Sequence, residues 1–137
     1  MAADSGIVVP RSRISLGIDP TLRASLARLA HGRVVVIDYV ASRIRRRSVV
    51  IGDLTGAFGD APPGLGYVEF ASVEGVRIFV ESRLLAVLDD GGPTLRLAGP
   101  RFARHLSVEL DRPERWIEFL EGPGVLAGKG FFGRRRP

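Results

Sequence analysis

Few residues in this chain have the type and spacing for acid–base, nucleophilic or metal chemistry. There are two histidines, His31 and His105, and neither lies in a pattern such as HExxH that would set a second ligand one helical turn away. His31 falls at the end of a predicted helix, where a cation meets the negative pole of the helix dipole, and it reads as structural. His105 and Glu109 have the spacing to share a strand face, but a metal needs three or four convergent ligands, so this pair also reads as structural. Cysteine is absent, which removes disulfides, thiolate nucleophiles, thiolate zinc sites and cysteine-held iron–sulfur clusters.

Several partial motifs break on their spacing. Asp53, Leu54, Thr55 and Gly56 would match an aspartic-protease signature only without the intervening leucine. In GPGVLAGKG, Pro123 stands where the first glycine of a phosphate loop belongs, and Gly130 stands where its magnesium-binding Ser/Thr belongs. Ser42, Ser48 and Ser107 lack a nucleophile-elbow context. Asp89 and Asp90 are adjacent in a glycine-rich stretch and read as solvated turn residues. No catalytic, cofactor-binding or metal-binding residue is assigned, and the chain is expected not to be an enzyme; a small enzyme with convergent residues that spacing hides is the third alternative.

Two cationic features stand above this background. Arg43, Arg45, Arg46 and Arg47 concentrate guanidinium groups that can grip phosphate or carboxylate, a possible anion-binding set. Near the C-terminus Phe131 and Phe132 lie between Lys129 and Arg134, Arg135 and Arg136. Apolar anchors flanked by cations suit a partner's pocket, RNA bases or an anionic surface. The bland reading of the first is a solvated charge run, and of the second a segment that packs its phenylalanines on its own core. The formal charge is +5, yet without Arg45 to Arg47 and Arg134 to Arg136 there remain 14 basic residues against 15 acidic, so the excess is local.

The elements that must position these groups fit one domain. At 137 residues, with 45% hydrophobic and 26% charged side chains, the chain is long enough for a single core and too short for two. Residues 1–12 read as a flexible leader, 13–122 as a single α+β domain and 123–137 as a flexible aromatic–basic tail. Asp19 as N-cap, Pro20 at the first position and Gly32 as a left-handed stop predict a helix over 20–31, with Leu22, Leu26 and Leu29 on one face. Strands are predicted over 33–39, 44–54, 67–72, 76–81, 94–98 and 105–110, with a glycine- and proline-rich connection over 55–66. Ser82 is expected to cap a short helix that ends at Leu88, before Asp89. Asp111 and Glu114 suggest a capping box for a last helix over 113–121 that turns Trp116, Ile117 and Leu120 inward and ends at Gly122.

This order resembles the HesB-like fold of A-type iron–sulfur carriers. The similarity is carried by GVRIFVESRLLAVL, Gly75 to Leu88, followed by a strand over 94–97, and by an opening helix within 14–29; it covers 14–98. A related small family found beside aldehyde dehydrogenases shares the look of GVRIFVESRLL. The resemblance implies a β-rich domain of mixed and antiparallel sheets with an N-terminal helix and two short helices. It does not imply cluster binding, because the carriers hold their cluster through cysteines and no ligand carries over.

The expectation is a non-catalytic HesB-like accessory subunit that docks to a larger protein assembly or forms a homo-oligomer, needs no cofactor, and uses Lys129, Phe131, Phe132 and Arg134 to Arg136 as its partner-binding residues. An RNA- or ribosome-associated basic protein is the alternative. No apolar run approaches the roughly 18 residues of a membrane span, and the opening MAADSGIVVPRSR lacks a secretory pattern, so a cytoplasmic location is expected. Absence of Asn and Gln with a single Met fits a heat-tolerant source, and the preference for Arg over Lys fits a GC-rich genome.

Overall fold

Residues 16–44, 49–122 and 124–126 are described by the computed structural model. A short strand β1, Gly17–Ile18, leads into helix α1, Pro20–Ala30. The Asp19 side chain accepts from the Thr21 N–H at 3.2 Å, so the predicted cap forms, with Pro20 placed where its missing N–H costs nothing. Leu22, Leu26 and Ala30 are buried, whereas Leu29 is only half-buried. The helix stops one residue before the expected position: His31 itself is left-handed at φ 52°, and Gly32 follows at φ 82°. The Arg33 guanidinium then folds back to donate to the Leu29 and Ala30 carbonyls, each at 2.9 Å, which satisfies acceptors left open by the helix end.

Four strands make the larger sheet. β2 (Val34–Ile44) pairs antiparallel with β3 (Val49–Gly59) and parallel with β5 (Val76–Glu81), and β4 (Tyr67–Val73) pairs antiparallel with β5, giving the order β3-β2-β5-β4. Val35, Ile37, Tyr39 and Ala41 of β2 and Val76, Ile78 and Val80 of β5 enter the core. The β4–β5 connection is a two-residue turn with Glu74 and Gly75 both at positive φ, the geometry that matches strand twist. Phe79 and Glu81, which alternate with the core-facing set along β5, are also buried.

Strand lengths differ from the sequence expectation in one region. β2 continues past Tyr39 to Ile44, and β3 begins at Val49 and runs on through Thr55 to Gly59, where the sequence pattern predicts a connection. The glycines there are not turn residues. A Cβ on Gly56 would lie 3.0 Å from Leu106 Cβ, so Gly56 permits close approach of a neighbouring element; a Cβ on Gly52 would run into the Val40 carbonyl oxygen.

β6 (Pro93–Ala98) pairs parallel with β1 and antiparallel with β7 (His105–Leu110), forming the three-stranded sheet β1-β6-β7, and Leu106 of β7 is the residue that meets Gly56. Between the sheets the chain makes a 3-10 turn, Ser82–Leu84, and helix α2, Leu85–Gly91. Glu81, not Ser82, caps the turn by accepting from the Arg83 N–H, and α2 incorporates Asp89 and Asp90 before Gly92 ends it at φ 66°. Helix α3, Glu114–Glu121, forms without the expected capping box, and Gly122 leaves it in extended geometry at φ −80°. Its inward stripe is Trp116, Phe119 and Leu120, spaced three and four, so Ile117 falls outside it and is 51% exposed.

The packed body extends beyond Gly122. Val125 is buried, although residues 124–126 fall in the segment expected to be a flexible tail. Among the described residues the architecture is α+β with three helices and two mixed sheets. Among the described residues no helix is long and apolar enough to cross a membrane.

Candidate functional site

Two places among the described residues bear on function. The first lies where β2, β4 and β5 run side by side. Tyr67 donates its hydroxyl hydrogen to Asp38 Oδ2, and the Tyr39 N–H donates to Asp38 Oδ1 at 2.8 Å. Next to them Glu81, only 7% exposed, accepts from the Arg83 backbone N–H at 2.7 Å and from Arg83 Nε at 2.8 Å. Arg83 also donates to the Gly124 carbonyl at 2.9 Å, and the buried Tyr39 hydroxyl donates to the Val125 carbonyl at 2.5 Å. Trp116 and Phe119 wall the Tyr39 ring at centroid distances of 6.0 and 5.0 Å.

This network clamps residues 124–126 to the sheet. Burial pushes the Tyr67 hydroxyl up to about 12, reinforced by its bond to Asp38 and the nearby carboxylate charges, and burial likewise raises Tyr39. A phenol held protonated by an adjacent carboxylate serves cohesion; it is a poor base and a weak acid near neutral pH.

The second place is a groove of about 670 Å³ between α1, β3 and the start of β7. Thr21, Ala24, Ser25 and Arg28, on one face of α1, form a wall of small side chains ending in a cation. Leu29, Phe58, Leu97 and Leu106 supply apolar surface. The ionisable side chains on its lining are Arg28, Arg104 and His105, all basic. Arg23, Arg77, Arg83, Arg96 and Arg115 each pair with a carboxylate, whereas Arg28, Arg101 and Arg104 pair with none among the described residues. Phe102, beside the groove in sequence and flanked by Arg101 and Arg104, is 89% exposed.

The residues singled out in the sequence divide accordingly. Arg43 is exposed at the end of β2, lining a separate hollow with Val50 and Leu120. Arg45, Arg46 and Arg47, and the partner-binding set Lys129, Phe131, Phe132, Arg134, Arg135 and Arg136, lie outside the described residues. His31 is exposed at the α1 terminus, its backbone N–H bonded to the Ala27 carbonyl. His105 does not join Glu109 at a ligand site, because Glu109 is held by Arg96 at 2.9 Å. No three His, Asp or Glu side chains converge among the described residues.

Sequence reasoning missed the groove. Arg28 and Arg104 lie far apart in the chain and border the same groove only through the packing of α1 beside β3 and β7. A signal for its rim was present in the connection GPRFAR, residues 99–104, an aromatic between arginines like the one noted near the C-terminus. No protein-family model matches the chain, and a search of curated proteins finds no match to it.

Proposed function

We propose that the chain is a non-catalytic accessory domain of HesB-like architecture that docks onto a larger protein assembly without holding an iron–sulfur cluster. The order of elements supports the architecture. Helix α1 opens a β-rich body; the stretch GVRIFVESRLLAVL supplies the Gly75 turn, β5, the 3-10 turn and most of α2; and β6 follows. Without cysteine the scaffold has no thiolate to offer a cluster, so what it presents is surface.

The observation that carries docking is an apolar strip at the far end of the β2–β3 hairpin. Val40, Val49 and Ile51 are 51%, 46% and 52% exposed, and the register sets Ser42 opposite Ile51, placing all three on the face turned away from the core. Arg43 pairs with no carboxylate among the described residues there, and Arg45 to Arg47 follow in sequence. A protein surface with apolar contacts ringed by carboxylates complements this end, with Lys129, Phe131, Phe132 and Arg134 to Arg136 as a second anchor.

Affinity capture from the source organism, with nuclease in one arm, tests it. A specific protein partner that survives nuclease and is lost in both Ile51→Glu and a chain lacking residues 127–137 is the expected result. Capture unchanged by either change overturns docking through these surfaces, and association abolished by nuclease replaces it with RNA binding.

A further inference from the structure

The groove between α1 and β3 has a composition that docking through the hairpin does not use. We propose that it binds a single-chain amphipathic carboxylate, with the alkyl chain along the apolar floor and the carboxylate on Arg28 and Arg104. Three observations converge on this ligand class. Its volume, about 670 Å³, falls in the range of about 300–1,000 Å³ typical of sites for small organic ligands.

Shape is the second. The α1 wall carries Thr21, Ala24 and Ser25, whose short side chains leave the space open, and Leu29, Leu97 and Leu106 give an apolar floor. The third is charge. Exposed Arg23, Arg77, Arg96 and Arg115 are each matched with a carboxylate, but the groove lining holds Arg28, Arg104 and His105 and no acidic residue. A guanidinium forms two parallel hydrogen bonds with a carboxylate, and one without an internal partner loses no ion pair when a ligand arrives. Apolar length with a cationic end selects an amphiphile with one anionic head over a neutral lipid or a nucleotide.

Calorimetric titration of the full chain with dodecanoate, below its micelle concentration, tests the site. Saturable one-to-one binding is expected. Shortening the ligand to decanoate removes two methylenes and weakens binding about tenfold, since each buried methylene contributes about three- to fourfold. Arg28→Ala and Arg104→Ala each weaken it about tenfold, as does replacing dodecanoate with dodecanol. Ala24→Trp and Ala57→Trp, exposed residues on opposite walls, fill the groove and abolish binding while circular dichroism and thermal unfolding stay unchanged.

Absence of saturation, equal binding of dodecanol, or binding retained by both tryptophan variants overturns the proposal. So does binding to anionic vesicles without binding to monomeric dodecanoate, which would mark a membrane contact instead. Ile51→Glu, on the hairpin end, leaves dodecanoate binding intact, so failure of the groove and failure of hairpin docking are distinguishable.

Discussion

Arg83 and the pair Arg28 and Arg104 are the same chemical group in opposite circumstances. Arg83 is inserted into a network: it meets the buried Glu81, reaches the Gly124 carbonyl, and lies 5.8 Å from the Tyr39 ring centroid. Arg28 and Arg104 border an apolar groove and meet no carboxylate among the described residues. A guanidinium satisfied within the fold contributes to cohesion. One left on the rim of an apolar hollow contributes almost nothing to cohesion and is available to an anion. The contrast separates the part of the molecule that holds it together from the part that can engage something else.

The largest expected effect breaks the first half of this contrast. Arg83→Ala leaves the Glu81 carboxylate nearly buried without its cation and frees the Gly124 carbonyl. The expected loss is about 2 kcal/mol, below the 3–5 kcal/mol of a fully enclosed pair because the Arg83 side chain retains 35% exposure. Urea unfolding measures it, with Arg96→Ala as the control: that pair is 44% and 60% exposed and should shift stability by less than about 0.5 kcal/mol. Equal effects from the two substitutions would show that burial of Glu81 does not set the strength of the network.

A smaller effect appears only in alkali. An unfolded tyrosine releases its proton near pH 10, whereas Tyr67 in the fold is pushed up to about 12, by burial first and then by Asp38. Between those values the folded state retains a proton that the unfolded state has lost. This contribution is therefore complete below about pH 10 and declines as pH rises toward about 12. Tyr67→Phe starts about 1 kcal/mol lower through loss of the Asp38 bond, but its urea midpoint should fall less steeply across this window than that of the parent chain. Parallel slopes would remove Tyr67 from the clamp. The groove lining contains no tyrosine, so substitutions there leave the slope unchanged.

The two regions were unequally legible in the sequence. Local rules found α1, because Asp19, Pro20 and the left-handed exit act within a few residues. They lost the end of β3, where Gly56 was read as punctuation although its role is to admit Leu106 from a strand far along the chain. They also turned Ile117 inward in place of Phe119, because the direction of a helix is fixed by what it packs on, here Tyr39. The clamp depends on β5 pairing with both β2 and β4, and the groove on packing α1 beside β3 and β7; neither juxtaposition has a periodicity to reveal it. Runs of like charge are easy to see in a sequence, while the cations of the groove come to one lining only in the fold.

The smallest expected effect bears on the second half of the contrast. Arg28 stands in the last turn of α1, where its charge meets the negative end of the helix dipole, an interaction of about 0.3–1 kcal/mol at an exposed site. Arg104 has no such role. Arg104→Ala is therefore expected to leave the urea midpoint within error, and Arg28→Ala to lower stability by no more than about 0.5 kcal/mol, less at high salt as the dipole interaction is screened. If Arg104→Ala instead costs as much as Arg83→Ala, its guanidinium is holding the β6–β7 connection in place, and the separation between a cohesive region and an available one disappears. If the double substitution stabilises the chain, the groove arginines repel one another across an unfilled site. That is the behaviour expected where charge is positioned for an incoming anion at a small cost to the empty fold.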